Sequence, residues 1–200
     1  MKQDSNPLLM PWDGPHGLPP FDAVRPQHFK PAFEAAFREQ RAEIEAIAAQ
    51  PEAPGFDNSV AAFDASGRLL ARIAALFHNL NSSASTPELQ AVEREMAAPL
   101  AAHEHALHMH AGLFARIDAV HATRDGLGLT DEQRRLVERV HLEFVRAGAR
   151  LGAAQRERYG AVMQRLAELT TRFAQNVLAD ENAWQLVLRG EAEQIGRAHV

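Results

Sequence analysis

LAELTTRFAQNVLADENAW, Leu166–Trp184, is the stretch that decides the fold class. Its apolar residues recur every three or four positions through Leu166, Leu169, Phe173 and Val177, the spacing of one face of an α-helix. Extended backwards, the same stripe takes in Val162 and Tyr159. Forwards it leads into a short apolar run, Trp184–Leu188, which reads as a β-strand and would need a pairing partner. The last six residues, Ile195–Val200, carry no apolar period and no turn signal. They match a translation of ATC GGA AGA GCA CAC GTC, the start of a common sequencing-library adapter. Gln194, read as CAG, supplies the adapter's preceding AG. Residues 194–200 are therefore expected to be an adapter scar on a gene that continues, and are set aside from fold reasoning.

Working back along the chain, helical periodicity accounts for most of it. Thr130-Asp131-Glu132-Gln133 is a capping box that opens a helix carrying Leu136, Val140, Phe144 and Leu151. A short helix carries Leu113, Ile117 and Val120. Ser85 or Thr86 caps another, with Pro87 in its first turn, a stripe of Leu89, Val92, Met96 and Leu100, and a kink expected at Pro99. Asn58 is expected to cap one continuous helix with the stripe Val60, Phe63, Leu70, Ile73, Phe77 and Leu80. The first helix carries Phe29, Phe33, Phe37, Ile44 and Ile47 and is closed by Pro51 and Pro54. Before it, five prolines and two glycines within residues 1–24 favour an extended arm, with Leu8, Leu9, Trp12 and Phe21 available to pin it down. The predicted fold is thus mainly α, with a short strand near the C-terminus. It divides into a Pro-rich arm (1–24), a helical domain (25–180), the start of a following strand segment (181–193) and the scar (194–200).

Composition narrows the function. With 46% hydrophobic and 24% charged residues, the chain is an ordinary globular one, long enough to bury a core. A net charge of −5 and no basic run longer than Arg134-Arg135 argue against nucleic acid as a partner. The absence of cysteine removes disulfides, thiol catalysis and thiolate metal sites, and fits a reducing compartment. No signal-peptide pattern and no membrane-length apolar run are read, so a cytoplasmic protein without membrane association is expected.

The candidate chemistry centres on His103, Glu104, His105, His108 and His110. A helical zinc peptidase motif places two histidines at i and i+4 with a glutamate between them. Here Leu107 occupies the i+4 position after His103, so the motif fails, and a solvated or capping role is expected for the cluster. Metal buffering by these histidines is a weaker reading. His28, His78, His121 and His141 read as isolated boundary residues, with His141 pairing locally with Glu138. Gly126 and Gly128 make no phosphate loop, and Ser82-Ser83 lacks the setting of a nucleophile. Catalytic, cofactor-binding and metal-ligating residues are each assigned as none.

Several segments, taken together and in order, resemble a known family. They are NPLL (Asn6–Leu9), LPPFDAVRPQHFKPAFEAAF (Leu18–Phe37), RAEIEAIA (Arg41–Ala48), LFARIDAV (Leu113–Val120), FVRAGA (Phe144–Ala149) and TRFAQNVLADENAW (Thr171–Trp184). They are similar to the N-terminal region of the thimet-oligopeptidase family of zinc metallopeptidases, with the wording nearest its bacterial peptidyl-dipeptidase branch. The resemblance spans about residues 6–188. It implies a helical region of a zincin-type peptidase that forms one wall of a channel admitting short peptides. It also implies that the HExxH helix and a further glutamate, the zinc ligands, lie beyond position 200 in a missing C-terminal catalytic domain. The complete enzyme would then release C-terminal dipeptides, while this stretch alone would bind no zinc and be inactive. A non-catalytic helical interaction or scaffold domain is the alternative.

Overall fold

The structure is a computed structural model and describes residues 6–187. Its helical segments are α1 (Phe29–Ala48), the single turn α2 (Ala62–Asp64), α3 (Arg68–Ser83), α4 (Pro87–His108), α5 (Ala111–Thr123), α6 (Asp131–Ala147) and α7 (Ala153–Ala183). The mainly α class is as the periodicity predicts.

Two buried clusters are strung along α1. Its first half contributes Phe29, Phe33 and Phe37 to a core shared with Ile73, Leu76 and Phe77 of α3 and with Leu89 and Met96 of α4. Phe77 meets Phe29 and Phe33 edge-on, with ring centroids 5.0 and 5.6 Å apart, a favoured aromatic geometry. The second half of α1 contributes Ile44 and Ile47 to a core with Leu113, Ile117 and Val120 of α5 and Val137, Val140 and Phe144 of α6. The phenylalanine stripe of α1 thus serves two cores because the helix is long enough to span both.

The N-terminal arm is tied down by polar bonds as much as by burial. Leu8 is fully buried. Asn6 Nδ2 donates to the His28 carbonyl (2.8 Å), and Arg72 donates to the Leu8 carbonyl (3.1 Å) while its guanidinium lies 4.7 Å above the Trp12 ring. Leu9 and Phe21, expected to help pin the arm, face solvent instead.

The structure corrects four local expectations. The continuous helix expected from Asn58 is broken: a wide π-type turn at Phe56–Ala61 leads through α2 to Gly67, whose φ of +69° ends one helical run before α3 begins. That left-handed backbone favours glycine, and a Cβ there would also sit 2.3 Å from Gln40 Nε2 and force that side chain to move. Asn58 does not cap a helix either: its Oδ1 accepts from Gly55 N–H (2.8 Å), reaching back to the residue before the turn. Thr86, one of the two expected caps, accepts from Leu89 N–H (3.3 Å) at the start of α4, and Pro99 lies inside that helix. Leu151 is not part of the α6 stripe, because Gly148 at φ +99° terminates that helix, where Ala149 N–H bonds to the Phe144 carbonyl (3.0 Å). The expected strand at Trp184–Leu188 does not form among the described residues. Trp184 closes α7, its N–H donating to the Asp180 carbonyl (3.0 Å), and residues 185–187 run on without helical or ladder bonding, because nothing described lies alongside to pair with them. Residues 181–183, expected to begin the strand segment, are instead the last residues of α7, and residues 188–200, including the scar at 194–200, lie outside the described residues.

Candidate functional site

The histidine cluster dissolves into separate structural roles, because α4 directs successive side chains to different neighbours. His103 is buried on α1: its Nε2–H donates to Gln40 Oε1 (2.8 Å) and its ring stacks on Phe37 at 4.4 Å. Burial, reinforced by the Arg41 charge, lowers its pKa to about 4, so the ring is neutral near pH 7. His105 turns towards α7 and packs on Tyr159 at 5.8 Å, and burial, then the nearby His108, lower its pKa as well. His108 donates to the Glu104 carbonyl (2.9 Å) and packs on Phe144. His110 caps α5 by accepting from Leu113 N–H (3.1 Å), and its other ring nitrogen lies 3.2 Å from Glu45 Oε1. These commitments leave the cluster a poor fit to zinc. Among the described residues no three His, Asp or Glu side chains converge as a metal-binding set.

Other sequence candidates are also absorbed into structure. Ser82 and Ser83 both donate to the Asn79 carbonyl (3.1 and 2.7 Å). His121 and His141, read as isolated, are in fact stacked face to face with centroids 3.8 Å apart. His141 is buried and lies 2.9 Å from Asp118 Oδ1 on α5, rather than pairing with Glu138 on its own helix, and Arg150 donates to the same oxygen at 3.0 Å. The His141 hydrogen bond, opposed by burial and aided by Arg150, holds the Asp118 carboxyl below its usual range. Sequence spacing could not reveal this link, because Asp118 and His141 are 23 positions apart on different helices. Arg116 was equally invisible: it is buried, donating to Ser59 Oγ (3.2 Å) and to the Gln50 and Glu52 carbonyls (both 3.1 Å). It clasps the loop after α1 onto α5.

One groove of about 450 Å³ is lined by Glu104, His105 and His108 of α4, Glu143 and Arg146 of α6, and Tyr159 and Met163 of α7. It brings together no nucleophile with an oriented base.

The strongest feature is the outward face of α7. This helix packs chiefly on α4, with Tyr159 against His105 and with the small and polar Gly160 and Gln175. Gly160 approaches so closely that a Cβ there would lie 2.6 Å from His105 Nε2. Gln175 donates to the Gln90 carbonyl (3.1 Å) and to Glu93 (2.6 Å), and accepts from Arg94 (2.6 Å). The stripe that marked the helix in the sequence lies on the opposite side: Val162, Leu166, Leu169 and Phe173 are 55%, 53%, 43% and 70% exposed. Trp184, Leu186 and Val187 follow at 70%, 67% and 71%. An apolar surface of this extent marks a contact site rather than scattered surface residues.

No family model matches this sequence. It is 37% identical to dipeptidyl carboxypeptidase of Escherichia coli K12 over 191 residues, which is 96% of this chain and 28% of that protein. Against dipeptidyl carboxypeptidase of Salmonella typhimurium it is 38% identical over 184 residues, 92% of this chain and 27% of that protein. Oligopeptidase A of E. coli is 29% identical over 195 residues, with 96% of this chain and 28% of that protein aligned. The chain therefore spans little more than a quarter of the length of these relatives.

Proposed function

We propose that the chain is the N-terminal part of a member of the thimet-oligopeptidase family, being similar to proteins named dipeptidyl carboxypeptidase and oligopeptidase A, and that its parent is a zinc peptidase of short peptides. The carrying observation is the 37% identity maintained along 96% of this chain. Identity is higher to the dipeptidyl carboxypeptidases than to oligopeptidase A, which favours release of C-terminal dipeptides. Cysteine is absent, and among the described residues no helix is long and apolar enough to cross a membrane; both support a cytoplasmic setting for this reading.

The residues of this chain contribute shape rather than chemistry. His103, His108, His110 and His141 are engaged in packing, capping and hydrogen bonds, and the proposed zinc with its ligands is assigned to the portion of the relatives that this chain does not span. The two cores joined along α1 make one helical body, which we read as a wall of the parent's substrate channel.

The test is to read the source gene past the codon for Glu193 and to express the complete product. The expected result is an HExxH motif, and an enzyme that releases the C-terminal dipeptide from an N-blocked tetrapeptide and loses this activity to a chelator. A natural stop codon after Val200, or a complete product inert towards short peptides, would overturn the reading in favour of a non-catalytic helical scaffold.

A further inference from the structure

The outward face of α7 has the layout of one half of a helix–helix seam. Val162, Leu166, Leu169 and Phe173 are spaced four, three and four residues apart, the a/d spacing of a heptad pattern. The seam is about 17 Å long at 1.5 Å rise per residue, enough for three turns of a partner helix. Along one rim stand Arg158, Arg165 and Arg172, exposed and seven residues apart, each one position before or four positions before a seam residue. Arg165 donates to Glu168 (2.7 Å), while among the described residues no ion pair engages Arg158 or Arg172. The opposite rim, Met163 and Thr170, carries no charge.

We propose that this face receives an amphipathic helix with an apolar seam and an acidic rim, supplied by the remainder of the parent polypeptide. This rests on the family reading for the existence of that remainder. Two observations select the occupant. The first is charge: an arginine at every seventh position calls for carboxylates at the facing positions. A second copy of this chain does not supply them. Antiparallel pairing of two α7 helices sets arginine against arginine, and parallel pairing sets arginine against the uncharged rim. The second is length: the relatives are more than three times as long as this chain, which covers 28% of the E. coli dipeptidyl carboxypeptidase. The face also cannot be covered from within residues 6–187, where α7 uses its other side to bind α4.

The experiment uses the absence of native cysteine. Single variants Leu166→Cys and Phe173→Cys are made in both the 200-residue chain and the complete gene product, and maleimide labelling is followed under native conditions. Both positions are exposed here, so the substitutions leave the folded core untouched. The expected result is labelling in the complete product slower by about tenfold or more, since reagent must wait for the packed segment to open, at a rate independent of protein concentration. Adding Arg165→Glu and Arg172→Glu should restore fast labelling in the complete product and leave the 200-residue chain unchanged. Equal labelling in both proteins overturns the proposal. Protection that appears only as concentration rises overturns it in favour of a second copy, and protection unaffected by the charge reversals overturns the acidic rim. Peptidase activity is read in the same preparations. Protected cysteines in an inert product would sink the family reading alone, while an active product with freely reacting cysteines would sink this docking alone.

Discussion

At the residue scale, the chain uses histidine as a buried neutral ring more than as a ligand. His103 is 2% exposed, stacked on Phe37 and bonded to Gln40, and its pKa of about 4 lies below the 6.5 of an unburied ring. The unfolded state therefore binds a proton more readily than the folded state. The stability this ring provides is present in full above pH 6.5 and is lost as pH falls towards 4, a change on the order of 2–3 kcal/mol. His105 and His121, whose pKa values are also lowered chiefly by burial, act with the same sign. Urea midpoints at pH 7 and pH 4.5 should show this loss, and His103→Gln, though less stable at pH 7, should show a smaller one. An unchanged pH slope in the variant would assign the effect elsewhere.

At the element scale, α7 is attached to the body by closeness and hydrogen bonds rather than by an apolar stripe. Gly160 permits the close approach to α4 at His105, and Gln175 closes the far end on Gln90 and Glu93. Glycine in a helix interior costs about 1 kcal/mol relative to alanine, so its presence there is explained by packing and not by propensity. A large side chain there meets the His105 ring, so either that ring or α7 must move. Gly160→Leu should make the 153–183 segment more sensitive to brief proteolysis while the two cores around α1 retain their thermal transition. Cleavage no faster than in the parent sequence would show that α7 is held by its other contacts.

At the scale of the whole molecule, the described residues form a slab with a finished interior and one unfinished face. The stripe from Val162 to Val177 and the apolar residues after it are exposed together. The 200-residue chain should therefore bind a hydrophobic dye. Leu166→Glu with Phe173→Glu should reduce that binding without lowering the melting temperature, because neither side chain contributes to the buried cores. A compact monomer that binds no dye would contradict this assignment of the face.

The sequence alone determined the helical class, the helix starts at Thr86 and Thr130, the stop of α1 before Pro51, and the family resemblance, because these depend on local period, on capping residues and on motif order. It also showed that α7 is amphipathic. Only the tertiary structure decided which way that helix faces: its apolar stripe looks the same whether it is buried or bare, and the direction follows from the close fit of Gly160 and Gln175 against α4. Asp118, His141 and Arg116 were likewise silent in sequence, since a hydrogen bond between distant helices leaves no periodic trace. The break at Gly67 lies in its left-handed backbone (φ +69°), where the Gln40 side chain from another helix packs against it. Local chemistry sets what each segment can become, and contacts between segments distant in the chain set where each side chain ends.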